Sequence, residues 1–128
     1  QSVLEGVPKG LPALIKAQRM QEKAAGVGFD WNTKQQVWSK FEEELAELDE
    51  ALLKDNKKAI EAEFGDVLFS LINYARFLKI NPESALERTN QKFIRRFQYI
   101  EDKAKAQASS IDKLSLDEME ALWQEAKS

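Results

Sequence analysis

From Val37 to Leu52 apolar residues recur at 37, 41, 45, 48 and 52. Spacings of three and four set them along one stripe of an α-helix, and along no face of a strand. The rhythm returns at Ile60, Phe64, Val67, Leu68, Leu71 and Ala75, and again at Leu86, Phe93, Phe97 and Ile100. No stretch sustains the alternation of a half-buried strand. Three prolines and five glycines in 128 residues leave the helical stretches nearly uninterrupted. The expected fold is all-α and four-helix-bundle-like, with an additional short C-terminal helix.

Residues 1–10, "QSVLEGVPKG", lack periodicity and read as an N-terminal arm or linker; the helical domain is expected over 11–128. The first helix should begin near Leu11, with Pro12 in its first turn, and stop before Gly26 and Gly28. Asn32 or Thr33 can cap the second, and Asp55 or Asn56 the third, which runs from about Lys57 to Leu78. Asn81 caps the fourth helix, with Pro82 and Glu83 in its first turn, and the helix extends to about Ala106. Ser115 and Glu118 have capping-box spacing at the start of the last helix, which carries Leu116, Met119, Leu122 and Trp123. Phe69 and Phe77 lie off the third helix's stripe. That helix should be the most buried, or shared with a second subunit. Phe29 and Trp31, in "GVGFDWN", are expected to pack back on the bundle or on a partner.

The chain has no cysteine and no histidine. This excludes thiolate metal sites, most zinc sites, and Ser-His or Cys-His nucleophile pairs. Any metal must be held by oxygen, and any proton must move through Asp, Glu, Lys, Tyr or water. The net charge of -3 disfavours a nucleic-acid partner. There is no apolar run of 18 residues and no visible signal peptide, so no membrane association and a cytoplasmic location are expected. The first residue is Gln1, which reads as a processed product or a segment of a longer protein.

Acidic residues concentrate in two places. "KFEEELAELDE", Lys40 to Glu50, holds six carboxylates. Glu44 and Glu47, three apart, flank the apolar stripe of the second helix. Glu63 and Asp66 repeat that spacing beside the stripe of the third. Two helices joined by a short connection pack antiparallel, so both pairs can face one groove. Four carboxylates against apolar surface need neutralising, and Mg²⁺, with Mn²⁺ as a substitute, is the natural oxygen-bound cation. The competing reading is a solvated helix face, and Glu42, Asp49, Glu50 and Glu61 are assigned to it.

"NQKFIRRF", Asn90 to Phe97, places Lys92, Arg95 and Arg96 beside the core side of the fourth helix. Arginine forks suit phosphate oxygens. The alternative is that these cations pair with Glu87, Glu101 or Asp102. Asn90 is read as lying near the core side, and Trp123 as a core residue or a base-stacking platform.

"EELAE" followed by "EFGD" resembles the EExxE…ExxD signature of the MazG family of all-α nucleoside triphosphate pyrophosphohydrolases. "LPALIKAQRMQEKAAGVGFDW", "GDVLFSLINYARFL", "ALERTNQKFIRRF" and "MEALWQEAK" resemble further MazG segments in order, closest to the C-terminal catalytic domain of two-domain members. The resemblance implies Mg²⁺-dependent hydrolysis of NTPs or dNTPs between the α and β phosphates, giving NMP and pyrophosphate, in a homodimer. It implies metal ligation by Glu44, Glu47, Glu63 and Asp66. It places Lys40 and Glu43 in the nucleotide pocket, Lys92, Arg95 and Arg96 on the phosphates, and Trp123 at the nucleoside end. With no histidine, Glu43 or Glu47 is the candidate general base. The alternative function is a non-catalytic helical module that binds nucleotide or protein.

Overall fold

The computed structural model describes residues 2–127, which form five α-helices, one 3-10 turn and no strand. The helices are α1 (Ala13–Gly26), α2 (Lys34–Lys54), α3 (Lys57–Phe77), α4 (Pro82–Ala106) and α5 (Leu116–Ala126). The chain divides into two compact units, one ending at Glu83 and one beginning at Ser84.

In the first unit α2 packs along α3, and α1 packs on α3. Local chemistry sets the ends. Thr33, rather than Asn32, caps α2, and Gln36 reaches back to complete a capping box. Asp55 adopts the left-handed conformation at φ 52° and ends α2, and the Asn56 side chain then accepts from Ala59 N to start α3. Gly28, just beyond α1, takes φ 93°, which only glycine adopts freely. Helix α1 starts two residues later than its periodicity suggests. Pro12, still extended at ψ 146°, becomes its cap residue without a side-chain hydrogen bond. Trp38 meets Tyr74 ring to ring at 5.0 Å, so the start of α2 lies beside the end of α3 and the pair is an antiparallel hairpin.

Several apolar residues are less covered than expected. Among the described residues of α3 only Ser70 is buried, and Phe64 remains 53% exposed. The apolar band of α3 is broader than the faces of α1 and α2 laid against it, so α3 is not the most buried helix. Phe29 is 82% exposed, so it does not pack back on the bundle, which leaves the partner alternative of its sequence reading open. The arm is less detached than its sequence suggests, for Val7 is buried.

In the second unit the rings of Phe93 and Trp123 approach to 5.6 Å, and Tyr99 Oη donates to Glu125 at 2.7 Å. Ile100, Ala104 and Leu122 are buried. Ser115 and Glu118 form the expected capping box on α5. Asn90 is exposed rather than near the core, and its amide donates to Glu87 within its own helix.

Candidate active site

The α2–α3 hairpin brings carboxylates from both acidic stretches together. One oxygen each from Glu44, Glu63 and Asp66 lie within 4.8 Å of one another. Glu44 is only 6% exposed. Its Oε1 accepts from Lys40 Nζ at 2.9 Å, and Glu43 Oε1 is 3.7 Å from the same ammonium. The hydrogen bond to Glu44 is the main cause that raises the Lys40 pKa.

Two of the other oxygens have no such partner. Glu44 Oε2 and Glu63 Oε2 are buried without a hydrogen bond. Stranding a carboxylate oxygen away from water costs on the order of several kcal/mol. Glu47 stands just outside the three-residue group. The charge of Glu44, then lost hydration, then the charge of Glu63 push its carboxyl above the ordinary range. Carboxylates converging from two helices with one lysine among them, and no nitrogen or sulfur donor, fit a hard divalent cation. Glu42, Asp49, Glu50 and Glu61 are exposed, as the solvated-face reading has them.

A cavity of about 530 Å³ borders this cluster, with Lys40 in its wall. Its other walls come from α1, the loop after it, and α3, including Gln21, Phe29, Trp31, Phe69 and Asn73. Gln21 is 6% exposed, and its Nε2 donates to Phe69 O at 2.9 Å. Its Oε1 is buried and has no hydrogen-bond partner. Arg76 fastens the loop by a 2.7 Å ion pair to Asp30, and its Nε and Nη2 donate to Asn73 Oδ1.

Lys92, Arg95, Arg96 and Trp123 belong to the second unit. Arg96 lies over the Trp123 ring, 5.4 Å from its centroid. Arg95 and Arg96 line a smaller hollow of about 290 Å³ with Tyr99 and Lys127. Among the described residues none of the three cations makes an ion pair, so the expected alternative partners, Glu87, Glu101 and Asp102, do not hold them.

Residues 32–100 match the model of the MazG nucleotide pyrophosphohydrolase domain. The chain belongs to the MazG family. A Thermotoga maritima protein named nucleoside triphosphate pyrophosphohydrolase/pyrophosphatase MazG is 44% identical over 91% of this chain and 45% of its own length. The Escherichia coli K12 nucleoside triphosphate pyrophosphohydrolase is 38% identical over 98% of this chain and 49% of its own length. The uncharacterised protein YabN of Bacillus subtilis is 50% identical over 98% of this chain and 26% of its own. This MazG chain thus spans about half the length of the first two relatives, and about a quarter of the third.

Within the MazG hairpin the structure gathers Lys40, Glu43, Glu44, Glu47, Glu63 and Asp66. Gln21, Asn73 and the Asp30–Arg76 pair were not singled out from the sequence. One signal was available: Gln21 follows Ala17 by four, which sets a polar residue on the inward stripe of α1.

Proposed function

We propose that this chain hydrolyses nucleoside triphosphates, ribo- or deoxyribo-, between the α and β phosphates to NMP and pyrophosphate. The observation that carries the reading is the convergence of Glu44, Glu63 and Asp66 with two buried, unpartnered oxygens, in a chain of the MazG family. Relatives named nucleoside triphosphate pyrophosphohydrolases support it.

Glu44, Glu47, Glu63 and Asp66 would hold Mg²⁺, with Mn²⁺ as a substitute. A bound divalent cation supplies positive charge to phosphate oxygens and makes water more acidic. The water oxygen bonds to the α phosphorus, the bond from that phosphorus to the α–β bridging oxygen breaks, and pyrophosphate leaves. The water proton needs a carboxylate, since the chain lacks histidine. Glu43 and Glu47 are the candidates beside the cluster. Lys40 keeps Glu44 oriented and lies between the acids and the cavity. Lys92, Arg95 and Arg96 would take the charge of the phosphates, and Trp123 would contact the nucleoside.

The same reading makes the enzyme a homodimer in the cytoplasm. Exposed Phe64, Leu68 and Leu71 on α3, with Leu45 and Leu52 on α2, support the dimer. No helix among the described residues is long and apolar enough to cross a membrane.

Incubation with NTPs, dNTPs and Mg²⁺, with the products identified, tests the reading. NMP plus pyrophosphate is expected. NDP plus phosphate, or no turnover across the panel, would overturn it.

A further inference from the structure

We propose that residues 2–10 form a strap which brings Leu4 into the wall of the cavity beside Lys40, so that docking of the arm and binding of the nucleotide strengthen each other. The proposal rests on the nucleotide-hydrolase reading above and adds to it a contact from outside the helices.

The arm is folded, though its sequence carries no helical rhythm. Glu5 N donates to Ser2 O at 3.2 Å, Val7 N to Leu4 O at 3.1 Å and Leu11 N to Pro8 O at 3.4 Å. Leu4 N also donates to Ser2 Oγ at 3.1 Å. Consecutive turns of this kind shorten the segment and set its side chains at fixed places. Val7 is buried, which pins the arm. Gly6 runs beside Lys23 of α1, where a Cβ would stand 3.0 Å from the lysine Nζ.

Three residues before the Val7 anchor, Leu4 lines the cavity together with Met20, Gln21 and Ala24 of α1. It is 39% exposed, so it keeps apolar surface to give to a ligand. The space of about 530 Å³ is open with the arm in place, which makes Leu4 a wall and not a plug. Lys40 lines the same cavity and touches Glu44, so a ligand held at the acids borders this wall. A ligand covered by Leu4 gains that affinity only while the arm is docked. By reciprocity, the bound ligand holds the arm down by the same factor. Val7 is not in the cavity wall and acts as a positioning residue, which keeps Leu4 in place.

The exposed Lys9–Gly10 bond gives the readout, because trypsin must lift the arm out of its turns to cut there. Cleavage is followed by intact-mass spectrometry with Mg²⁺ alone and with α,β-methylene NTPs plus Mg²⁺. The tightest-binding nucleotide should slow the cut about threefold to tenfold, as the partial covering of one leucine allows. Mg²⁺ alone should leave the rate unchanged. Val7→Asp should make the cut fast, and equal with and without nucleotide. In steady-state kinetics on the cleavable NTP, Leu4→Ala and Val7→Asp should raise KM by that same factor and keep kcat, since the wall touches the ligand away from the acids. Val3→Ala, on the same arm but outside the cavity wall, should change neither.

Equal cleavage of the wild type with and without nucleotide overturns the proposal. Faster cleavage with nucleotide does so too, for it would make Leu4 a plug that the nucleotide displaces. An unchanged KM in Leu4→Ala, or an equal rise in Val3→Ala, is also fatal to it. The wild-type comparison needs no variant, so it stands even where Val7→Asp fails to fold. Protection of Lys9 without pyrophosphate release would sink the hydrolase reading and leave the strap standing. Turnover with cleavage indifferent to nucleotide would do the reverse.

Discussion

Lys40 Nζ lies 2.9 Å from Glu44 Oε1, so a single lysine holds one oxygen of a buried carboxylate and leaves the other unpaired. The ammonium therefore competes with a cation for the cluster while offering its own charge to a phosphate. Lys40→Met should tighten Mg²⁺ binding severalfold in the absence of nucleotide and raise KM for the nucleotide. Calorimetry and steady-state kinetics measure the two effects, and movement of both in the same direction would contradict this division.

Glu44 and Glu63 each bury an unpaired oxygen, so in the metal-free fold the converging carboxylates have Lys40 alone to offset their charge among the described residues. Mg²⁺ at about 100 times its Kd should stabilise the wild type by about 2.7 kcal/mol. Glu44→Gln and Glu63→Gln should each lose that response together with turnover, while their metal-free melting temperature equals or exceeds that of the wild type. Thermal melts with Mg²⁺ and with a chelator decide it.

The capping box at Thr33 holds the first turn of α2. Thr33→Ala should destabilise the chain by about 1 kcal/mol. Mg²⁺ affinity should be unchanged, because the acids lie turns away along the helix. A urea titration paired with a metal titration checks both halves.

Glu118 gives a pH signature of known sign. Backbone and side-chain hydrogen bonds from Ser115 lower its pKa from the ordinary 4.5. Its contribution is thus fully present above the unfolded-state value and is lost as pH falls through the lower folded value. Glu118→Gln should be less stable than the wild type near neutrality, with a gap that closes in acid. Urea unfolding at several pH values measures it, and a gap that widens in acid would refute the assignment.

The exposed apolar band on α2 and α3 bears on assembly. Phe64→Asp combined with Leu68→Asp should yield a monomer that keeps its helicity. Analytical ultracentrifugation and circular dichroism report on each property.

Periodicity and capping residues placed every helix, to within two residues at the start of α1, because stripes and capped ends are written in neighbouring positions. The meeting of Glu44 with Glu63 and Asp66 was legible for the same reason: spacing on one helix plus a short connection fixes which faces meet. The cavity was not legible. Gln21 meets the Phe69 carbonyl 48 residues away, and Asp30 meets Arg76 across 46, contacts that no local pattern encodes. The burial of Phe64, Phe93 and Leu68 was overestimated because a stripe shows which face is apolar, not whether a neighbour covers it.

The hairpin has a kinetic consequence. Glu44 and Asp66 are twenty-two positions apart, so closing one short loop assembles the charge cluster early in folding. Closure must then work against mutual repulsion of the carboxylates unless a counterion is already there. Divalent cations should therefore speed refolding of the wild type and have far less effect on Glu44→Gln. The ion would then assist closure of the hairpin before any other ligand meets the cluster.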